Sequence, residues 1–336
     1  MKILVTGGAG FIGSAFVRML ITRTGHQAIN LDKLTYAGNL ENLIPVESHE
    51  RYRFVEGDIC DRTLVDRLVE EERPDAIVHF AAESHVDRSI LSPEPVVRTN
   101  VVGTFTLLEA ARKHKTSRFV HVSTDEVYGS LEAPREAAED DPLNPSSPYS
   151  ASKAGSDLLV RSYFVTYRLP VLLTRASNNY GPYQFPEKAL PLFITNLMQG
   201  MKIPLYGDGM NIRDWLYVED HCDAIWTVLN KGKAGEVYNI GGNNEMTNRQ
   251  IVQTILKEMG KNWDEGVQMV KDRPGHDRRY AIDASKIKRE LGWEPKHRWE
   301  QAIKSTIRWY RDHESWWRAI KSGEYLKYYE QQYAGR

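Results

Sequence analysis

Glycine spacing behind the first strand-like run constrains this chain more than any other feature. After the β-branched run Lys2–Thr6 comes Gly7-Gly8-Ala9-Gly10-Phe11-Ile12-Gly13, in which Gly8, Gly10 and Gly13 fall in the pattern G-x-G-x-x-G. A helical pattern opens at Phe11. A strand that turns through glycines straight into a helix gains a tight turn, close packing of helix on strand, and backbone N–H groups that can approach a pyrophosphate. The helix N-terminus adds positive potential. The turn therefore predicts a βαβ unit that binds a dinucleotide, with Gly7, Gly10, Phe11, Ile12 and Gly13 as its contacts.

The rest of the first half extends that unit. Strand-like runs at Ala28–Asp32, Arg53–Glu56, Ala76–Phe80, Phe119–Ser123 and Val171–Arg175 alternate with helical patterns beginning near Phe11, Arg62, Pro95 and Ser147. Such alternation builds right-handed crossovers around a buried parallel sheet. The expected fold class is α/β, a Rossmann-type doubly wound parallel sheet. After Asn178, Gly and Pro become frequent and strand signals shorten; helical patterns return at Asp220–Asn230, Thr247–Met259 and Trp299–His313. This predicts a sheet domain over 1–177 carrying the catalytic residues. A smaller C-terminal substrate-binding lobe is expected over 178–336, with segments that could return to the sheet. The aromatic-rich stretch Trp309 to Tyr333 reads as a packing helix and tail without chemistry.

A net charge of -1 over 336 residues offers no field to recruit nucleic acid or an anionic membrane. The two cysteines, Cys60 and Cys222, lie far apart without metal-ligand spacing, so neither a metal nor a disulfide scaffold is expected. Without a basic leader or a long apolar run, the expected location is cytoplasmic.

Asp32 closes the second strand, where a carboxylate can accept hydrogen bonds from the adenosine ribose and repel a 2′-phosphate. The expected cofactor is accordingly NAD, a preference that the neighbouring Lys33 slightly weakens. Asp58-Ile59 follows the third strand and can meet the adenine. Further on, Tyr149-Ser150-Ala151-Ser152-Lys153 places a phenol and an ammonium at i and i+4 on one helix face. A free phenol, with a pKa of about 10, is a poor base; a nearby positive charge favours phenolate. Tyr149 could then accept a hydroxyl proton as hydride leaves for the cofactor, with Lys153 also holding the nicotinamide ribose.

These features, with Val122-Ser123-Thr124-Asp125-Glu126-Val127-Tyr128-Gly129, resemble the extended short-chain dehydrogenase/reductase family. Within it the chain is similar to the dTDP-glucose 4,6-dehydratases. The similarity is carried also by Leu34-Thr35-Tyr36-Ala37-Gly38-Asn39, Ala81–Ser89, Ser177–Pro182, Arg213–Val218 and Arg273–His276, and it runs over nearly the whole chain. The resemblance implies catalytic roles for Thr124, Asp125, Glu126, Tyr149 and Lys153. After oxidation at C4, Glu126 would take the C5 proton and a protonated Asp125 would protonate the departing C6 hydroxyl; each transfer is typically worth ~10²–10⁴-fold. Like-charge repulsion from Glu126 is the expected reason for a raised Asp125 pKa. Sugar-nucleotide 4-epimerases share fold and cofactor but carry small residues after the hydroxyl residue, so a UDP-sugar 4-epimerase is the nearest rival. A UDP-glucose 4,6-dehydratase and a non-catalytic dinucleotide sensor remain open at this point.

The resemblance also implies cofactor contacts from Leu34, Thr35, Phe80, Ala81, Ala82, Ser84, Thr99 and Asn179. Lys188, Arg213 and Arg273 are the expected cations for a nucleoside diphosphate, joined by Ser84, Thr124, Asn178, Ala189, Pro204, Leu205, Tyr206, Asn248, Asp272 and His276. His79 reads as a core histidine. By resemblance, the amphipathic stretches Thr99–Lys113 and Ser147–Tyr167 would pair two subunits of a homodimer in a four-helix bundle.

Overall fold

The computed structural model describes residues 1–322 and 324–333; residues 323 and 334–336, inside the expected lobe, lie outside the described residues. Six parallel strands come from residues 2–176: β1 (Lys2–Thr6), β2 (Gln27–Asp32), β3 (Tyr52–Glu56), β4 (Ala76–His79), β5 (Arg118–Thr124) and β6 (Val171–Ala176). Further strands are β7 (Asn178–Tyr180), β8 (Ile203–Tyr206), β9 (Ile212–Tyr217), β10 (Val237–Ile240), β11 (Glu245–Thr247) and β12 (Val267–Val270). The main sheet has seven strands in the order β10-β6-β5-β4-β1-β2-β3, all parallel. It is a Rossmann-type α/β sheet. The order reverses between β1 and β4, and the crevice beyond their carboxyl ends is where such sheets hold ligands.

Alternation along the strands sends one set of side chains to each face. Ile3 and Val5 pack with α1 (Phe11–Arg23) and α8 (Val218–Lys231), whereas Leu4 and Ile77 face α2 (Arg62–Glu72), α5 (Thr104–Lys113) and α6 (Pro148–Tyr167). Fully burying side chains such as Phe16 and Phe119 contributes about 1.5–3 kcal/mol each. Two short helices, α3 (Val86–Leu91) and α4 (Glu94–Val97), lead into a π-helical turn before α5. α6 starts where Ser147 and Ser150 form a reciprocal capping box and Pro148 fits the first turn.

The second half builds its own core. α7 (Ala189–Met198), α9 (Asn248–Met259) and the helix Trp299–Asp312 pack around Phe193, Trp215, Ile255 and Trp317, beside the β11-β9-β7 and β12-β8 sheets. Part of it returns: β10 pairs with β6, and α8 packs on α1. No helix among the described residues is long and apolar enough to cross a membrane.

Candidate active site

The glycine turn forms as its spacing predicts. Gly7 has φ +74, and a Cβ there would stand 2.6 Å from the Ala81 nitrogen; a Cβ on Gly13 would overlap the Gly7 carbonyl oxygen. Helix α1 begins at Phe11 with Gly10 as its N-cap and no side-chain cap. The first N–H groups of that helix therefore point into the crevice without a competing side chain, as an anion site requires. Asp32 ends β2, buried, and both its oxygens accept from the backbone: Oδ2 from Ala9 N–H and Oδ1 from Leu34 N–H, each at 2.9 Å. It thereby ties the glycine turn to the following loop, and its remaining lone pairs are free for ribose hydroxyls. Lys33 Nζ donates to Thr99 Oγ1 at 3.2 Å and lies 3.7 Å from Asp58.

One continuous cleft runs from this turn to the end of β5. Gly7, Gly10, Phe11, Ile12, Gly13, Asp32, Lys33, Thr35, Ile59, Phe80, Ala81, Ala82, Ser84, Thr99 and Asn179 line it, and so do Thr124, Asp125, Glu126, Tyr149, Lys153, Asn178 and Lys188. Leu34 and Asp58 are not part of that lining. Tyr36, Glu83, Gln184, Phe185, Glu187 and His221 line it too, which the sequence reading did not single out. Tyr36 was within reach of the sequence, since it lies in the stretch Leu34–Asn39. His221 arrives on α8 from far along the chain, and its Nδ1 pairs with Asn179 Oδ1 at 2.9 Å; no local pattern marks it. His79 is a core residue, buried between the hydroxyls of Thr6 and Thr104 at 2.7 and 2.9 Å.

At the end of β5 the chain makes a 3₁₀ turn over Asp125–Tyr128, with Thr124 Oγ1 accepting from Glu126 N–H at 3.3 Å and donating to Asp125 Oδ1 at 3.2 Å. Asp125 Oδ2 and Glu126 Oε2 are buried without a hydrogen-bond partner among the described residues. Burial is the main cause that drives the Asp125 carboxyl well up; repulsion from Glu126 comes second, which corrects the expectation that repulsion leads. Burial also raises Glu126, but the charges of Arg273, Arg213 and Lys188 pull it down. Both carboxyls are thus held above their ordinary values, Asp125 well above and Glu126 with three cations opposing the rise.

Tyr149 departs from expectation. Burial and the Glu126 and Asp125 carboxyls push its phenol up, while a hydrogen bond with Thr124 pulls the other way. The folded chain alone holds the phenol protonated. Lys153 is lowered to about 8 by burial and donates to the Val122 carbonyl at 2.9 Å.

Of the expected cations, Lys188 lines the cleft. Lys188 Nζ donates to the Ser84 carbonyl at 2.6 Å. Arg213 Nη2 donates to the Asp277 carbonyl at 2.9 Å, its guanidinium 4.1 Å from the Tyr280 ring centre. Arg273 Nη1 pairs with Asp87 Oδ1 at 2.7 Å. Arg213 and Arg273 lie outside the cleft lining although Glu126 feels both charges. Ala189, Pro204, Leu205, Tyr206, Asn248, Asp272 and His276 are also outside the lining. Leu205 is a core side chain, Asn248 opens α9, and Ala189 opens α7. Tyr206 Oη donates to Asp87 Oδ2 at 3.1 Å, and His276 Nδ1 lies 2.6 Å from Asp272 Oδ1.

Residues 4–306 match the family described as GDP-mannose 4,6 dehydratase. A dTDP-glucose 4,6-dehydratase of Shigella flexneri is 53% identical over 360 residues, covering 100% of both chains. One from Streptomyces niveus is 54% identical, with 96% of each chain covered. The crystal structure of a dTDP-glucose 4,6-dehydratase from Streptomyces venezuelae with NAD bound is 52% identical; it superposes with a TM-score of 0.93 over 96% of this chain and 100% of that one. With this similarity extending over the whole chain, sheet and cleft alike, the chain belongs to the dTDP-glucose 4,6-dehydratase family.

Proposed function

We propose that this chain converts dTDP-glucose to dTDP-4-keto-6-deoxy-glucose by oxidation at C4, loss of water across C5–C6 and hydride return to C6. The observation that carries the reading is the acidic pair Asp125–Glu126, with Asp125 Oδ2 and Glu126 Oε2 each buried without a hydrogen-bond partner among the described residues, facing the same cleft as Tyr149 and Lys153. A 4-epimerase removes and returns one hydride and needs a single acid–base group. Two further carboxyls, with environments that push them apart, suit removal of one proton and delivery of another.

The residues present fit NAD: the crowded glycine cradle, the uncapped start of α1 and the carboxylate of Asp32 suit pyrophosphate and ribose. Held there, NAD would supply the hydride acceptor for C4 and the hydride donor for C6, and so would be retained rather than consumed. Tyr149, as the phenolate that the Lys153 ammonium and the positive charge of bound NAD would favour, accepts the C4 hydroxyl proton, with Thr124 and Lys153 orienting it. Glu126 takes the C5 proton, and Asp125 gives its proton to the C6 hydroxyl, which leaves as water. Lys188, Arg213 and Arg273 offset the diphosphate charge; Asn178 and Ser84 face the sugar. Ala189, Pro204–Tyr206, Asn248 and Asp272–His276 are assigned to the nucleotide end from the family resemblance.

Incubation with dTDP-glucose tests the reading. A 4-keto-6-deoxy product supports it, and dTDP-galactose alone sinks it. A parallel arm with UDP-glucose fixes the nucleotide.

A homodimer through α5 and α6 is part of the proposal. Leu158 and Val165, seven residues apart on one face of α6, are 59% and 51% exposed, and Val102 just before α5 is 46% exposed. An outward apolar stripe of this kind is what a four-helix bundle would cover. Light scattering should give twice the chain mass, and Leu158→Glu should halve it. We also assign residues 1–177 to cofactor and catalysis and 178–336 mainly to the sugar nucleotide, with α8 and β10 returning to the sheet. The free thiols of Cys60 and Cys222 suit a reducing cytoplasm.

A further inference from the structure

Beneath the Tyr149–Lys153 pair lies a set of charged side chains that the steps above leave unused. Tyr149, Lys153 and Asp157 follow at i, i+4 and i+8 on α6, along the face that packs on β5 and β6, and all three are buried. Asp157 Oδ2 accepts from Arg175 Nε at 2.9 Å, and its Oδ1 lies 3.4 Å from His121 Nε2. Arg175, opposite Ser123 in the sheet register, is held on its other side as well. Its Nη1 donates to Tyr128 Oη at 2.8 Å and to the Glu139 carbonyl at 3.2 Å; Tyr128 Oη donates to Asn239 Oδ1 at 2.8 Å. Taking such a pair out of water costs several kcal/mol per ion, and apolar residues of the same volume are often as stable. An ion pair placed directly behind a reacting lysine therefore calls for a use beyond folding.

The groups around Lys153 supply one. His79 on β4 and His121 on β5 are both kept neutral by burial, the first well below its ordinary range and the second at about 4. Arg175 on β6 is a cation. Beyond the end of β5, burial pushes the Asp125 and Glu126 carboxyls up, and on α6 it raises the Tyr149 phenol. Asp157 differs. Burial pushes it up too, but the nearby His121 ring and the charges of Arg175 and Lys153 outweigh burial and hold it below its ordinary value. Among the described groups around Lys153, Asp157 is thus the carboxylate whose charge its neighbours secure. The hydrogen bond from Lys153 to the Val122 carbonyl does not distinguish ammonium from amine as a carboxylate does. Burial draws the ammonium down to about 8, and the Asp157 charge is what opposes that fall.

We propose that Asp157, locked in place by Arg175, is a positioning residue that keeps Lys153 charged beneath Tyr149 and so sets the upper pH limit of catalysis. This rests on the assignment of Tyr149 and Lys153 as the catalytic pair. Removing the anion makes the ammonium lose its proton at lower pH, and a neutral Lys153 no longer favours phenolate on Tyr149.

The test is the pH dependence of kcat for dTDP-glucose in the full-length protein and its variants. Asp157→Asn should move the alkaline limb down by about one pH unit, a loss of roughly tenfold on that limb, with turnover recovered on acidification. Asp157→Glu should return the limb toward its original position. The double change D157N/R175Q removes both buried charges together, leaves neither alone in the core, and should move the limb the same way. A uniform drop in turnover with the alkaline limb unmoved in every folded variant, shown folded by thermal unfolding, overturns the proposal. Lys153→Met separates the premise: retained activity there refutes the catalytic pair. Lost activity there, beside an unmoved limb in the Asp157 variants, refutes the role of Asp157 alone.

Discussion

Replacing Glu126 by Gln should separate the two halves of the reaction. The structure predicts a small cost in stability, because Oε2 of this half-buried side chain is already out of water and unpartnered among the described residues, and its pKa is raised by burial. A neutral amide of the same shape adds no charge to desolvate, so the change in unfolding free energy should stay within about 1 kcal/mol. The effect on chemistry is much larger. A missing proton-transfer group typically costs ~10²–10⁴-fold, or ~2.7–5.5 kcal/mol in the barrier. The Glu126 charge also pushes the Tyr149 phenol up, so its removal should make Tyr149 a readier proton acceptor for C4 oxidation. Mixing the variant with dTDP-glucose should therefore give stoichiometric reduced nicotinamide absorbance, without 4-keto-6-deoxy product. The acid limb of this oxidation should move to lower pH. Undiminished overall turnover would refute the assignment of Glu126 as base. Failure to form reduced nicotinamide in a folded variant would show that Glu126 serves the oxidation instead.

Three further outcomes follow from the same geometry. Asp32→Ala strands the Ala9 and Leu34 N–H groups; a loss of roughly 2–4 kcal/mol is expected in denaturant unfolding, with NAD no longer retained through gel filtration. Gly13→Ala puts a methyl into the Gly7 carbonyl and should cost about 1–3 kcal/mol while abolishing the thermal shift that NAD gives the parent chain. Tyr149→Phe should abolish the reduced nicotinamide signal while dTDP-glucose affinity, measured by calorimetry, changes less than tenfold (~1.4 kcal/mol).

Much of the sheet was legible because its signals are local. β1 through β6 are short β-branched runs, and the Gly7–Gly13 turn announces itself by spacing, since only absent side chains allow that approach of backbone to backbone. Tyr149 and Lys153 were readable because helical periodicity alone puts them on one face. β10 was not assigned, because Val237–Ile240 is a short run whose partner β6 lies far back in the chain.

The sequence by itself determined the order of strands and helices, the dinucleotide turn and the residue types that carry the chemistry, since each depends on spacing of a few positions. Only the tertiary structure decided their protonation. It buried Asp125 and Glu126 unequally among Arg213, Arg273 and Lys188, brought His221 to Asn179, and set Asp157 and Arg175 behind Lys153. Charge states depend on how much water is excluded and which distant charges face the group, and neither is written in any local stretch of chain.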